Sequence, residues 1–124
     1  SKGYIIGGSG GHTDVAACAK LTVIVAPLSR ARMPIVVDRV LTVSTPGSSV
    51  DMLVTQYGIA VNPARPELKE ALQKAHLPVK DIGELKALAD KINGAPKKRE
   101  IKKDRIVAKV QNRDGSLLDV IYGV

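Results

Sequence analysis

The sequence predicts an α/β fold with a mixed or parallel β-sheet and a C-terminal β-hairpin. An apolar run, a glycine-rich loop, a short helical stretch and a β-branched apolar run follow one another in residues 4–26, which is the order of a βαβ unit. Apolar residues at helical spacing come next, between residues 66 and 94, and two strand-like runs close the chain. The 124 residues are 44% hydrophobic and include no Phe or Trp, so we expect one domain with an aliphatic core.

The first predicted elements surround the glycine-rich loop. We expect a strand over residues 4–6, a loop over residues 7–11 and then a short helix capped by Thr13 or Asp14, whose side-chain oxygens can accept unpaired N–H groups. Residues 21–26 form a continuous apolar, β-branched run that is typical of a strand buried on both faces.

The middle of the chain predicts short extended elements. Residues 35–37 and 41–43 are expected to form short strands or extended segments. Residues 50–55 and 59–61 are rich in Val, Leu and Ile, and the break at Gly58 favours a hairpin between them.

Two helices are predicted after this hairpin. Pro66 suits the first position of one helix, Asp81 caps the other, and Gly94 ends it. One face of the first helix carries Leu68, Ala71, Leu72 and Ala75, and one face of the second carries Leu85, Leu88, Ala89 and Ile92.

The charge pattern divides the chain. We predict a main domain over residues 1–94, a basic linker over residues 95–104 and a hairpin over residues 105–124 that packs on the same domain and turns at Asn112-Arg113-Asp114-Gly115. Residues 97–105 carry +4 of the net charge of +7. No aromatic residue interleaves them, so base stacking is not available and we expect no nucleic-acid partner.

Several classes of site are not expected. The single Cys18 cannot form an internal disulfide, and its apolar helix favours a buried, inert thiol. One Cys and two distant His residues make no metal site. The sequence shows no signal peptide and no apolar run of the roughly 20 residues that a membrane span needs, so we expect a cytoplasmic protein.

The glycine-rich loop is the strongest functional signal. It reads Gly7-Gly8-Ser9-Gly10-Gly11, and successive backbone N–H groups of such a loop can bind a phosphate, a carboxylate or an oxyanion. A tight turn between strand and helix explains the same glycines without a ligand.

Two arginines form a second candidate site. Arg30 and Arg32 are expected in a loop directly after a buried strand, where open α/β sheets bind ligands, although solvated loop charges are the simpler explanation. Asp38 and Arg39 are compatible with an ion pair, or with Arg39 holding a substrate carboxylate.

Several motifs occur in a recognisable order. The glycine loop with Asp14, residues 16–20 and residues 23–26 resembles the second half of the family I coenzyme A transferases. Further motifs resemble the citrate lyase alpha subunits among them: His12-Thr13-Asp14, Ile35-Val36-Val37-Asp38-Arg39-Val40, Thr45-Pro46-Gly47, Val50-Asp51, Gly58-Ile59-Ala60-Val61-Asn62-Pro63 and Arg65-Pro66.

The resemblance implies a three-layer αβα transferase domain and a specific reaction. Acetate on the thiol of an acyl carrier would be exchanged for citrate, and the thiol would belong to a coenzyme A-derived prosthetic group of the carrier, with no cofactor bound covalently here. The implied partners are a beta subunit and a gamma acyl carrier subunit in an oligomeric complex. The basic linker is then either a solvated connector or a docking patch for an acidic carrier.

The resemblance also implies roles for the loop. Gly10 and Gly11 would support the oxyanion that forms when a carboxylate attacks a thioester. Gly7, Gly8, Ser9 and His12 would contact the substrate, with His12 either binding a citrate carboxylate or only capping the helix or bonding a neighbouring loop.

No catalytic residue is expected in this chain. The nucleophilic glutamate of the transferases lies upstream of the glycine loop, whereas Glu67, Glu70, Glu84 and Glu100 suit surface positions. We therefore expect a fragment of a longer polypeptide that is inactive by itself. The rival hypothesis is a non-enzymatic anion-binding or subunit-assembly domain.

Overall fold

The computed structural model describes residues 10–94 and 104–123. The elements in chain order are α1 (His12–Cys18), β1 (Val23–Val25), β2 (Ser29–Arg30), β3 (Met33–Pro34), a 3₁₀ turn (Gly47–Ser49), β4 (Met52–Thr55), β5 (Gly58–Val61), α2 (Pro66–Lys74), β6 (Val79–Lys80), α3 (Ile82–Asn93), β7 (Ile106–Gln111) and β8 (Leu117–Tyr122).

The chain divides into two compact units. One groups residues 1–20, 40–49 and 98–124, and so holds α1, the 3₁₀ turn and the hairpin β7–β8. The other groups residues 21–39 and 50–97, with strands β1 to β6 and helices α2 and α3. The three-part division predicted from the charge pattern stays a prediction, since most of the basic linker lies outside the described residues.

The larger unit contains a mixed sheet, as predicted. Its strand order is β1-β4-β5-β6, in which β1 runs parallel to β4, β4 antiparallel to β5, and β5 parallel to β6. The hairpin β4–β5 lies where the sequence predicts it. The first strand of the proposed βαβ unit, residues 4–6, lies outside the described residues.

The core of this unit is small and aliphatic. Leu28 and Leu85 are fully buried, and the buried cluster is completed by Val36, Ala60 and Ala89. Helix α3 contributes to it because a capping box fixes its start: the Asp81 side chain accepts from Gly83 N, and the Glu84 side chain accepts from Asp81 N. Both helices, with Pro66 and Gly94 at the predicted ends, are confirmed.

The close approach of β5 and β6 explains why position 58 is a glycine. Gly58 starts β5 with φ +148°, and a Cβ built there would lie 2.8 Å from Lys80 Cδ and 2.9 Å from the Pro78 carbonyl oxygen. Only glycine at this position lets β6 pair with β5 at this distance. The sequence did not predict strand β6.

One prediction about a strand is wrong. The run 21–26 forms only the three-residue strand β1, which lies at an edge of the described sheet and leaves Val25 77% exposed, instead of being buried on both faces. Of the two alternatives expected for residues 35–37 and 41–43, short strands or extended segments, the structure shows no strand at either place. Apolar composition predicts extended backbone, but the neighbours that make it a buried strand are not encoded locally.

The C-terminal hairpin is confirmed. Strands β7 and β8 pair antiparallel around the turn at residues 112–115, where Gly115 has φ +84°. The Asn112 N–H donates to the Ser116 carbonyl, and the Asp114 carboxylate accepts from both the N–H and the hydroxyl of Ser116. Those two hydrogen bonds lower the pKa of Asp114 and stabilise the turn.

Candidate functional site

The last two glycines of the loop lie at the start of α1. Gly10 has φ +61°, a conformation that favours glycine, whereas Gly11 is the N-cap with φ −82°. A Cβ built at either position meets no described atom within 4 Å. The backbone here is therefore open to a close approach. Gly7, Gly8 and Ser9 lie outside the described residues, so their predicted role is untested.

The predicted helix cap is wrong. Helix α1 begins at His12, so Thr13 and Asp14 both lie in its first turn, and the N-cap Gly11 has no side chain with which to cap it. The Thr13 hydroxyl instead donates a hydrogen bond to the carbonyl oxygen of Ser44. Thr13 therefore joins α1 to a segment 31 residues further along the chain, a contact that the local sequence pattern does not reveal.

His12 is held by a side-chain network. Its Nδ1 lies 2.9 Å from the hydroxyl oxygen of Thr45, and that hydroxyl lies 3.2 Å from the hydroxyl oxygen of Thr13. His12 is exposed, while Thr13 and Thr45 are half-buried. The ring thus bonds a neighbouring loop through Nδ1, which is one of the two roles that the sequence left open for His12.

The loop that carries Thr45 is itself anchored within the same unit. The Val43 N–H donates to Oδ2 of Asp119, on β8, at 2.7 Å. On the other side of Thr45, the N–H and the hydroxyl of Ser49 both donate to the Pro46 carbonyl, at 3.0 and 2.8 Å. The C-terminal hairpin and the 3₁₀ turn therefore fix the loop against which His12 lies.

The two candidate arginines belong to a tight hairpin, not to an open loop. Arg30 is the last residue of β2, and Arg32 lies in the turn to β3. Ala31 and Arg32 have φ +49° and +61°, the pattern of a two-residue turn that normally takes Asn-Gly. Both arginines are exposed, and a role in anion binding stays a prediction.

Asp51 belongs to one of the family motifs, and its contacts in the structure are with the scaffold. One carboxylate oxygen accepts from the Thr22 N–H at 2.6 Å, and the other pairs with the guanidinium of Arg65. The Arg65 Nε lies 2.5 Å from Glu67 Oε1 as well. This hydrogen bond raises the pKa of Arg65 and lowers the pKa of Glu67 below its ordinary value.

Asn62 completes this arrangement. Its amide nitrogen donates to the Val50 carbonyl at 2.8 Å, and its side-chain oxygen accepts from the Ala64 N–H at 3.0 Å. Its main-chain N–H donates to the Asp51 carbonyl at 2.8 Å. The motifs around residues 50–51 and 62–66 therefore join β4, β5 and the start of α2.

A lysine pairs with two carboxylates within the larger unit. Lys86 Nζ lies 2.8 Å from Asp90 and 3.2 Å from Asp38, which raises the pKa of Lys86, with Asp90 the larger cause. The ion pair between Asp38 and Arg39 that the sequence suggested is therefore replaced by one between Asp38 and Lys86.

Cys18 is exposed, so the prediction of a buried thiol is wrong. The short helix α1 buries Ala16 instead. The exposed positions expected for Glu67, Glu70 and Glu84 are confirmed, and Glu100 lies outside the described residues. In residues 10–94 and 104–123, no group of three or more His, Cys, Asp or Glu side chains suits a metal ion. None of the helices in this part of the chain has the length and apolar character to cross a membrane.

Comparison with known proteins decides the family. The family model described as citrate lyase, alpha subunit (CitF) matches residues 1–124. The chain belongs to the citrate lyase alpha subunit family. It is 54% identical over 124 residues to the citrate lyase alpha chains of Escherichia coli K12 and of Klebsiella pneumoniae. The alignment covers 100% of this chain and 24% of each relative, so the chain spans about a quarter of their length.

A solved structure supports the same family. It is the crystal structure of a protein described as the alpha subunit of citrate lyase from Streptococcus mutans, in complex with citrate. The likeness has a TM-score of 0.85 at 47% identity and covers 92% of this chain and 22% of that one. The fold described above is therefore a recurrent part of citrate lyase alpha subunits.

Proposed function

We propose that the chain is part of a citrate CoA-transferase, in which it supports the carbonyl group that reacts. The parent polypeptide would convert acetyl-carrier and citrate into citryl-carrier and acetate during citrate fermentation. Membership of the citrate lyase alpha subunit family supports the substrate class. The observation that supports this role is the open backbone at Gly10 and Gly11. These residues directly precede His12 in the chain, whose ring is hydrogen-bonded to Thr45.

The exchange is a pair of acyl transfers. A citrate carboxylate oxygen attacks the acetyl thioester carbon, and the carrier thiolate leaves, which gives a mixed anhydride. The thiolate then attacks the citryl carbonyl, and acetate leaves. The thiol would belong to the coenzyme A-derived group of a gamma acyl carrier subunit, and a beta subunit would cleave the product within the same complex. The larger domain would be a three-layer αβα transferase fold, of which the mixed sheet described here is one part.

Each attack places negative charge on a carbonyl oxygen. Fixed N–H groups stabilise that charge without having to reorganise, and one such donor contributes about 3 kcal/mol of transition-state stabilisation. The N–H groups of the Gly10–Gly11 segment are proposed to act in this way, because no side chain on either residue shields them. His12 is proposed to bind a citrate carboxylate, and Arg30 and Arg32 are proposed to bind anionic groups of the substrate.

The 124-residue chain alone is proposed to be inactive. Its glutamates Glu67, Glu70 and Glu84 lie exposed on helices, where Glu67 pairs with Arg65 and Glu84 completes the capping box of α3. The active-site glutamate that the resemblance to the coenzyme A transferases implies would lie in the part of the parent polypeptide outside this chain.

Gly11→Ala in the parent polypeptide tests the role of the loop. Gly11 has φ −82°, which alanine adopts freely, and the added Cβ meets no described atom within 4 Å. The methyl group would nevertheless occupy the space through which a ligand approaches the backbone. We expect kcat/KM for acetyl-to-citryl exchange on the carrier to fall at least about tenfold, while the melting temperature stays unchanged.

Gly47→Ala is the matched control. Its Cβ also meets no described atom within 4 Å, and Gly47 lies in the same unit but outside the glycine loop. Full activity of Gly11→Ala would show that the loop is only a turn. A wild-type parent polypeptide without exchange activity would instead favour the anion-binding or assembly domain.

A further inference from the structure

The hydrogen bonds that hold His12 can run in one direction only. A threonine hydroxyl has a single hydrogen to donate, and a carbonyl oxygen only accepts. The Thr13 hydroxyl donates its hydrogen to the Ser44 carbonyl oxygen. Its oxygen, 3.2 Å from the hydroxyl oxygen of Thr45, must then accept from Thr45.

The same argument reaches the imidazole ring. Because the Thr45 hydroxyl donates its hydrogen to Thr13, the hydroxyl oxygen of Thr45 can only accept a hydrogen bond from His12 Nδ1, at 2.9 Å. Nδ1 therefore carries a hydrogen in both the neutral and the protonated ring. In the neutral ring this leaves the lone pair on Nε2.

We propose that Thr45 is a positioning residue that fixes the tautomer and orientation of His12, so that Nε2 is the atom that meets the ligand. On the proposed function, on which the identity of the ligand rests, the protonated ring donates Nε2–H to a citrate carboxylate. Thr45 accepts from Nδ1 in that form too, so the contact with Thr45 need not rearrange when the carboxylate binds.

The surroundings of Thr45 suit this role. Thr45 is half-buried, and the loop is held by the Val43 hydrogen bond to Asp119 on one side and by the bonds from Ser49 to Pro46 on the other. A hydroxyl fixed by its own loop orients its partner before the ligand arrives, which avoids part of the entropy cost of binding.

The test uses the parent polypeptide with ¹⁵N-labelled histidine. Long-range ¹H–¹⁵N spectra distinguish a protonated ring nitrogen from an unprotonated one, and the loss of signals in His12→Gln assigns the ring. For the neutral ring without ligand we expect a protonated Nδ1 and an unprotonated Nε2. Thr45→Val keeps the shape of the side chain but removes the acceptor, so we expect the hydrogen to move to Nε2.

Two variants separate positioning from mere stability. Thr45→Ser keeps the hydroxyl and should restore the wild-type spectrum, and Thr42→Val makes the same substitution three residues earlier and should leave the spectrum unchanged. A wild-type ring protonated at Nε2, or a Thr45→Val spectrum identical to that of the wild type, would overturn the proposal.

Calorimetric titration with citrate tests the ligand side. Thr45→Val leaves the Nδ1–H of the protonated ring without its acceptor and so disfavours the form that binds the carboxylate, which should weaken the affinity of this variant for citrate about tenfold, with recovery in Thr45→Ser. Unchanged affinity in Thr45→Val would refute the assignment of Nε2 to the ligand. If the wild type binds no citrate, the proposed function fails, whereas the tautomer measurement still decides the role of Thr45.

Discussion

Asp51 joins three segments of the larger unit. Its carboxylate accepts from the Thr22 N–H and pairs with Arg65, and its carbonyl accepts from the Asn62 N–H. Loss of that carboxylate would remove the hydrogen bond from the Thr22 N–H and the ion pair with Arg65, and Arg65 would keep only its pair with Glu67. The motifs by which these residues resemble their family thus maintain the scaffold, whereas the site chemistry that we propose lies around His12.

The roles of individual residues were the hardest feature to predict. Asp51 and Arg65 belong to the family motifs. Asp51, however, lies 29 positions along the chain from its partner Thr22 and 14 positions from its partner Arg65, and no local pattern reveals contacts over such distances. The same holds for His12, whose partner Thr45 lies 33 residues away. The sequence indicated His12 as a candidate ligand residue, which stays a prediction, but it could not supply the partner or the direction of its hydrogen bond.

The pair of Arg65 and Glu67 predicts a pH dependence. Its hydrogen bond lowers the pKa of Glu67 in the folded state, so the unfolded chain binds that proton more readily. The pair therefore stabilises the fold above the ordinary carboxyl value of 4.5, and this contribution is lost as the pH falls through the lower, folded-state pKa. We expect the wild type to be more stable than Glu67→Gln near neutral pH, and the gap to close in acid.

Urea denaturation across the acidic to neutral range measures that gap. Glu70→Gln is the control, because Glu70 is an exposed carboxylate on the same helix, and it should differ little from the wild type at any pH. A gap for Glu67→Gln that stays constant across this range would contradict the prediction.

At the level of elements, the end of α2 combines two opposed effects. The His76 N–H donates to the Gln73 carbonyl and the Leu77 N–H to the Leu72 carbonyl, which is the Schellman pattern of helix termination. That pattern places the residue after the C-cap in a left-handed conformation, and His76 has φ +56°. The hydrogen bonds stabilise the helix end, while the side chain of His76 strains it.

His76→Gly should therefore stabilise the larger unit. Glycine adopts the left-handed conformation without the Cβ clash, which costs other residues about 1 kcal/mol, although added freedom in the unfolded chain offsets part of the gain. We expect a higher urea midpoint for His76→Gly. His76→Ala retains the Cβ, so it should show no such increase. An equal gain in both variants would mean that the imidazole, and not the backbone, is the source of strain.

Elements with local signals were predictable, and elements without them were not. The capping residues Asp81 and Gly94 and the apolar face of α3 lie within one short stretch, so this helix was predicted with both ends. The turn between β2 and β3 uses Ala31 and Arg32 in place of Asn-Gly, so it carried no signal. Strand β6 has two residues, and its pairing depends on the absence of a side chain at Gly58.

For the whole molecule, the two edges of the described sheet differ in character. The β6 edge carries Lys80, and a lysine at an edge discourages pairing with another chain. The β1 edge reads Val23-Ile24-Val25, with Val23 and Val25 exposed and no charge in the strand. The sequence predicted burial on both faces for this run, because composition reports what a strand is suited to and not which neighbours cover it.

The uncharged edge predicts self-association of the 124-residue chain. In the part of the chain that the structure describes, β1 is an exposed apolar edge strand, and such a strand offers backbone groups and hydrophobic surface to a second copy. Val25→Lys places a charge at the most exposed position of β1, so sedimentation velocity should show fewer large species for this variant than for the wild type.

Gln73→Lys separates this effect from that of net charge. Gln73 lies exposed on α2, which is not part of β1, so the variant gains the same charge without altering the β1 edge. Equal suppression of self-association by both variants would assign the effect to overall repulsion between molecules. Suppression by Val25→Lys alone, at an unchanged urea midpoint, would locate the contact at β1, since Val25 is too exposed to contribute much to the core.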